Sequence, residues 1–240
     1  TKAVIDAYTG WQFHLIEKEI INFCNTDLSA FYLDIVKDRL YCSGPTRERK
    51  SAQTALYAIL TRLLPLLAPV LSFTAEEAYL TLRREILLPG GVESEESVHL
   101  LDMPAPDPAY ADEELASTWS ALVEVRRDAL KQIEVKRSEK LIGHSLEASV
   151  SLYAEGELLG LLERKREELA PLFVVSEVRV APKEEAPPDA YAGESVSVAV
   201  RRAEAEKCPR CWRYLAGDGS DPNHPDLCPR CAAVVSAYYS

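Results

Sequence analysis

Two short cysteine pairs near the C-terminus constrain this chain more than any other feature. Both have the sequence Cys-Pro-Arg-Cys, and they occupy residues 208–211 and 228–231. The spacing is typical of two tight turns that each present two thiolates to one Zn²⁺. A catalytic zinc keeps an open position for water, whereas four sulfurs fill a tetrahedral site, so we expect one structural Zn²⁺. His224 is an alternative ligand because it lies shortly before the second pair. The expected ligands are Cys208, Cys211, Cys228 and Cys231.

The residues inside and beside the cysteine pairs combine positive charge with one indole ring. Arginine pairs well with phosphate, and an exposed tryptophan stacks on an unpaired base, so we interpret the group as a candidate RNA contact. The alternative is that the tryptophan covers the metal site and the arginines are merely solvated. The candidate residues are Lys207, Arg210, Trp212, Arg213 and Arg230.

Composition limits the class of protein. With 240 residues, of which 47% are hydrophobic, the chain is long enough for two domains. A net charge of -11 argues against non-specific binding to phosphates, so any contact with nucleic acid should be local.

Cys24 and Cys42 have no spacing signature, and we expect free buried thiols in a reducing compartment. We find neither a secretory signal nor an uninterrupted apolar span of about 20 residues, which predicts a cytoplasmic protein without membrane contact.

The first hundred residues predict helices. Apolar residues recur at three- and four-residue intervals over residues 8–23, 28–40 and 46–65, and such a period builds one apolar stripe per helix. We expect Pro65 to kink or end the third helix. Thr74 and Glu77 have the spacing of a capping box at the start of a fourth helix. Helices joined by short connections predict an antiparallel bundle.

The pattern changes after a segment rich in proline, glycine, serine and glutamate, residues 89–108, where we place a boundary. Leucine and isoleucine spacing over residues 115–133 then predicts one long helix. Beyond it, strand-like alternation brackets a short helix at residues 158–169, which indicates a small α/β unit. The alternating segments are residues 146–152, 178–180 and 196–200.

The expected fold class is therefore mainly α, with three parts in chain order. An antiparallel helical bundle occupies residues 1–105, a junction made of the long helix and the small α/β unit occupies residues 106–203, and a Cys₄ zinc finger occupies residues 204–240. The sequence contains neither a glycine-rich phosphate loop nor a nucleophile with a motif around it, so we expect no catalytic residue. A zinc-stabilised protein-interaction module or a DNA-binding module is the alternative function.

Four ordered segments of this chain resemble one family. They are residues 25–41, which read Asn-Thr-Asp-Leu-Ser-Ala-Phe-Tyr-Leu-Asp-Ile-Val-Lys-Asp-Arg-Leu-Tyr, residues 63–79, residues 141–148, and the run from Lys207 through Cys231. Together they resemble the anticodon-binding domain, junction and zinc finger of bacterial-type isoleucyl-tRNA synthetases, which are class I aminoacyl-tRNA synthetases.

The resemblance implies the C-terminal part of an enzyme that uses ATP to join isoleucine to its tRNA. The expected partners are the anticodon region of tRNA(Ile) and the catalytic and editing domains of a longer parent chain, and the expected state is a monomer. Ile142-Gly143-His144 matches only the end of the family's His-Ile-Gly-His signature, and we interpret it as coincidence. Because the catalytic and editing motifs are missing, we expect this portion alone to be inactive.

Overall fold

The computed structural model describes residues 1–87, 95–215 and 221–239. The chain forms two compact units, each built from two stretches of sequence. The first contains Thr1–Tyr32 and Arg47–Ala111, and the second contains Leu33–Thr46 and Asp112–Ser240. Part of the predicted boundary segment, residues 88–94, lies outside the described residues. The predicted limits after residues 105 and 203 remain predictions.

Helices account for most of the regular structure in the described residues, with one small sheet. In chain order the α-helices are α1 (Lys2–Thr9), α2 (Phe13–Asn22), α3 (Asp34–Tyr41), α4 (Arg47–Leu67), α5 (Ser72–Leu82), α6 (Glu113–Ser138), α7 (Gly156–Arg164), α8 (Arg166–Phe173) and α9 (Pro229–Tyr238). The strands are β1 (Ala148–Ala154), β2 (Glu177–Pro182), β3 (Tyr191–Ala192) and β4 (Ser197–Arg202). This content confirms the predicted mainly α fold class.

In the first unit, α1 and α2 form a short helical hairpin. The sequence predicts one apolar stripe over residues 8–23, but the chain turns sharply between the two helices, and Trp11 adopts a left-handed φ of 56° there. Ile16 and Ile20 of α2 pack with Val4 of α1, and they form a small apolar core. The Tyr8 hydroxyl donates a hydrogen bond of 2.9 Å to the carbonyl of Leu66, which connects this hairpin to α4.

A second core in the first unit lies between α4 and α5, where Leu64 packs with Tyr79. Pro65 lies inside α4, and the helix continues to Leu67. The predicted capping box is wrong, because α5 begins at Ser72 and Thr74 lies within its first turn. Glu76 instead accepts hydrogen bonds from the Ser97 hydroxyl at 2.9 Å and the Val98 amide at 2.8 Å. The carboxylate therefore supports the 3₁₀ turn Val98–Leu100 rather than the start of its own helix.

The segment between α2 and α3 is helical, but its turns are wider than those of an α-helix. Phe23–Leu33 forms π-helical turns, and α3 follows directly. Periodicity over residues 28–40 correctly indicates helix, but it does not distinguish the wider turns from α-helix.

The second unit is built on the four-stranded sheet, whose strand order is β2-β1-β4-β3. The central strand β1 runs parallel to β2 and antiparallel to β4. The alternation in the sequence correctly identifies the buried face, since Val150, Leu152, Val198 and Val200 are all buried. The two-residue strand β3 carries too little pattern to be predicted, and the expected helix at residues 158–169 is divided between α7 and α8.

A buried carboxylate joins α6 to the turn before β4. Asp128 is only 2% exposed, and it accepts hydrogen bonds from the backbone amides of Ser195 at 2.8 Å and Val196 at 3.3 Å. Gly193 lies so close that a Cβ there would be 2.5 Å from Asp128 Oδ2. The long helix therefore carries the acceptor that orders this turn.

Within residues 1–87, 95–215 and 221–239, no helix is both long and apolar enough to cross a membrane.

Candidate metal centre

The four predicted cysteine ligands come together at one point in the second unit. Their Sγ atoms all lie within 4.8 Å of one another, and all four residues are buried. The Sγ atoms of Cys211 and Cys228 are 3.8 Å apart. Tetrahedral zinc with Zn–S bonds of about 2.3 Å requires sulfurs about 3.8 Å apart, so the arrangement fits one Zn²⁺. His224 is not a member of this group.

Local backbone geometry explains how each pair forms a compact turn. In the first, the Trp212 amide donates to the Cys208 carbonyl at 2.8 Å, and the Cys208 amide donates to the Arg213 carbonyl at 3.0 Å. In the second, Cys228 is the N-cap of α9 and Pro229 takes the first helical position, where the missing N–H of proline removes no helical bond.

The environment of the sulfurs is suited to a cation. Burial raises the pKa of Cys211, Cys228 and Cys231, because the thiolate loses hydration. Burial also raises the pKa of Cys208, but backbone amides outweigh it and bring that pKa down to about 6. Four buried thiols become four thiolates when a divalent cation supplies the compensating charge, and a closed set of four leaves no position for a reacting water.

One finger arginine forms an ion pair with a helix far away in sequence. Arg230 donates through both terminal nitrogens to the carboxylate of Asp38 on α3, and its Nη2 lies 2.7 Å from Oδ1. Burial raises the pKa of Asp38, but the hydrogen bonds and positive charge of Arg230 prevail and hold it below its usual value. Such bidentate pairs fix the relative orientation of the two side chains as well as pairing their charges.

Arg210 contacts the residue that follows α3. Its Nη1 donates one hydrogen bond of 2.6 Å to the carbonyl oxygen of Cys42 and another of 3.5 Å to Cys231 Sγ. The Cys42 thiol points back toward the Arg210 carbonyl at 3.8 Å and packs beside the four-cysteine group. Burial, followed by the negative charge of Asp38, raises the pKa of Cys42 to about 11. Cys42 therefore packs beside the four cysteines without belonging to their group.

Arg213 contacts the chain just before β2. Its Nη2 donates a hydrogen bond of 2.7 Å to the carbonyl oxygen of Ser176, and Ser176 is a buried residue. The Ser176 hydroxyl in turn accepts from the Tyr214 amide at 2.6 Å and donates to the Leu146 carbonyl. Ser176 therefore joins the finger to the chain just before β1 and just before β2.

The predicted basic group thus divides into two kinds of residue. Arg210, Arg213 and Arg230 are partly buried and bonded to protein groups. Lys207 and Trp212 are exposed, and the Lys207 ammonium lies 5.3 Å from the centroid of the Trp212 ring. Nothing in the local sequence marks the protein partners of these arginines, which are Asp38, Cys42 and Ser176.

Comparison with known proteins connects these features. Residues 1–152 match the family described as the anticodon-binding domain of tRNA ligase. The chain belongs to that family. Residues 205–234 also match the family described as zinc finger found in FPG and IleRS, so the four cysteines form a zinc finger with one structural Zn²⁺.

Curated relatives of this anticodon-binding-domain protein are isoleucine–tRNA ligases. The one from Desulforudis audaxviator is 46% identical over 241 residues, which cover 98% of this chain and 25% of the relative. The one from Carboxydothermus hydrogenoformans is 47% identical, with 97% of this chain and 24% of the relative covered. The chain thus spans about a quarter of the length of these relatives, and the resemblance predicted from its motifs is confirmed.

Proposed function

We propose that this chain is the tRNA-binding portion of an isoleucine–tRNA ligase and that it recognises the anticodon region of tRNA(Ile). The observation that carries the proposal is one chain that joins an anticodon-binding domain, residues 1–152, to a zinc finger. ATP-dependent aminoacylation would take place in the catalytic part of a longer protein, and editing in another, so this portion has no activity of its own. The proposal places that protein in the cytoplasm as a monomer.

Chemistry supports a contact with an unpaired loop. Anticodon bases are unpaired and can be splayed out of the loop, and proteins read such bases by stacking and by hydrogen bonds to their edges. The net charge of -11 argues against a broad electrostatic contact with phosphates, so we expect contact through a few placed side chains. Trp212 and Lys207 are exposed and suit this role, whereas Arg210, Arg213 and Arg230 support RNA binding by holding the finger in place.

Direct titration tests the function. The 240-residue chain is titrated with tRNA(Ile) and with a non-cognate tRNA at several fixed salt concentrations. We expect tighter binding of tRNA(Ile), with an affinity that falls as salt rises because counterions are released. Equal affinity for both tRNAs, or no binding of either, would contradict the proposal and favour a zinc-stabilised protein-interaction module.

Lys207→Gln provides a second test at the finger. An ammonium that contacts a phosphate contributes to all sequences alike, so we expect weaker tRNA binding and a reduction of about one in the slope of log affinity against log salt. Lys183→Gln is the matched control, because Lys183 lies in the second unit and is already paired with Glu155 at 2.7 Å. An unchanged slope for Lys207→Gln would remove Lys207 from the contact.

A further inference from the structure

A fifth cysteine lies against the four zinc ligands, at a cleft that opens to solvent. The cleft has a volume of about 370 Å³, belongs to the second unit, and is lined by both Cys42 and Cys211. We propose that these two cysteines are an oxidation site, at which hydrogen peroxide converts the pair into a Cys42–Cys211 disulfide and weakens metal binding. The inference goes beyond tRNA binding and does not depend on it.

The Cys42 sulfur lies beside the backbone of the first cysteine turn. Cys42 Sγ is 3.8 Å from the carbonyl oxygen of Arg210, and this carbonyl belongs to the peptide bond that leads into Cys211. By covalent geometry that oxygen is about 3 Å from the Cys211 Cα, so Cys42 Sγ is no more than about 7 Å from the same Cα. Disulfides join cysteines whose Cα atoms are about 4.4–6.8 Å apart, and the contact brings the two residues into that range of separation.

Arg210 holds this arrangement together. Its Nη1 donates to the carbonyl oxygen of Cys42 at 2.6 Å and to Cys231 Sγ at 3.5 Å, while its own carbonyl accepts from the Cys42 thiol. Cys42 also packs against the buried cluster that the four ligands form. Because the fifth thiol is already positioned, no segment has to be ordered before it reacts with an oxidised neighbour.

The cleft gives a small oxidant access to both sulfurs. A water molecule occupies about 30 Å³ in the liquid and hydrogen peroxide is only slightly larger, so the cleft is wide enough to admit it. Cys42 is partly exposed. Among the four ligands, Cys211 is the one that lines the cleft. A peroxide that enters the cleft therefore meets these two cysteines.

The chemistry balances with peroxide as the oxidant. A ligand cysteine carries its sulfur as a thiolate, and the thiolate of Cys211 attacks one oxygen of H₂O₂. The O–O bond breaks, the sulfur becomes a sulfenic acid, and hydroxide leaves. The Cys42 sulfur then attacks the sulfenic sulfur, the S–O bond breaks, and the thiol proton leaves with the oxygen as water. Two electrons pass from the two cysteines to the peroxide, and three thiolates remain where four could hold the metal.

The other ligands are the competing thiols. Cys228 Sγ lies 3.8 Å from Cys211 Sγ, and a disulfide between these two would remove two ligands at once. Pairing with Cys42 removes only one. It also captures the sulfenic acid before further oxidation to sulfinic acid, a stage that thiols do not reverse, whereas a disulfide is reduced by thiol exchange. Cys42 therefore makes the loss of metal reversible.

Disulfide mapping tests the site directly. The zinc-bound 240-residue chain is treated with hydrogen peroxide, alkylated and digested without reduction, and the peptides are identified by mass spectrometry. We expect a linked peptide that contains Cys42 and Cys211, together with zinc that becomes available to a chromogenic chelator. Dithiothreitol with added zinc should restore about one zinc per chain. A map without the Cys42–Cys211 link would overturn the proposal.

Cys42→Ser separates the role of the fifth thiol from that of the fold. The serine hydroxyl can donate to the Arg210 carbonyl as the thiol does, so before oxidation the variant should bind zinc and unfold at the same midpoint as the parent. After peroxide treatment we expect at least about twofold more sulfinic acid at Cys211 than in the parent. Cys24→Ser is the matched control, because Cys24 is also a partly exposed free thiol but belongs to the first unit. It should match the parent, and equal sulfinic acid in Cys42→Ser and the parent would overturn the role of Cys42.

Discussion

At the scale of single residues, the finger arginines show how position changes the role of a side chain. Residue type alone predicts that the finger arginines bind phosphate, because guanidinium groups are typical phosphate ligands. In the structure, Arg230 pairs with Asp38, and Arg210 pairs with the Cys42 carbonyl. These contacts hold the finger against α3 and the residue that follows it, and in our proposal the arginines support RNA binding in this way.

Asp38→Asn tests the ion pair. The substitution removes the charge that Arg230 faces, and the pair is only partly exposed, with side-chain accessibilities of 36% and 25%. We expect a loss of about 1–3 kcal/mol in the free energy of unfolding of the zinc-bound chain, measured by chemical denaturation.

Asp34→Asn is the control for that measurement. Asp34 lies one turn earlier on α3, and its partner Lys37 is 65% exposed, so this ion pair is screened by water. We expect a change of less than about 0.5 kcal/mol. Equal losses for the two variants would mean that the Arg230 contact contributes nothing specific.

At the scale of elements, α9 depends on a glycine in the segment after α3. A Cβ at Gly44 would lie 2.4 Å from Cε2 of Tyr238. Gly44→Ala should therefore destabilise the second unit by about 1–3 kcal/mol through overpacking. In the Tyr238→Ala background, Gly44→Ala should cost little further stability, because the ring that the new Cβ would meet is gone. A loss that persists without the ring would point to the backbone of residue 44 instead.

A second element-scale prediction concerns the turn before β4. Asp128→Ala removes the acceptor of the Ser195 and Val196 amides and leaves both donors in a buried site. We expect a loss of about 1–3 kcal/mol, with faster hydrogen exchange at these two amides. Glu124→Ala, one turn earlier on an exposed part of α6, should leave that exchange unchanged. Equal exchange rates in the two variants would contradict the role of Asp128.

Elements were predictable from sequence where a period was long enough to be counted. The long α6 and the buried face of β1 followed directly from apolar spacing. The start of α5 did not, because Thr74 and Glu77 have the spacing of a capping box but lie inside the helix. Glu76 finds its partners at Ser97 and Val98, and a tertiary contact of that kind leaves no mark in the local pattern.

At the scale of the whole molecule, the metal ligands were predictable and their supports were not. The four cysteines lie close together in sequence with a spacing that only a metal centre explains well. By contrast, Arg213 meets its partner 37 residues away and Arg230 meets Asp38 192 residues away. Interactions at such separations depend on the folded topology, which the sequence pattern does not specify.

Zinc removal tests this organisation. Since the arginines hold their partners only when the finger is folded, chelation or Cys231→Ser should increase hydrogen exchange in residues 33–46 as well as in the finger. Residues 1–32 and 47–111 form the other compact unit and should keep their protection. Cys24→Ser is the control, because Cys24 lies outside the metal group and should change neither. Unchanged exchange in residues 33–46 after zinc loss would contradict the coupling.

The separation between α3 and its partners also has a consequence for biosynthesis. Residues 33–46 leave the ribosome before Arg210 and Arg230, which follow their partners Cys42 and Asp38 by 168 and 192 residues. Closing so long a loop carries an entropic cost, and the contacts that offset it do not exist until the finger is translated. Helix α3 must therefore wait, without its final partners, until the finger emerges and binds zinc.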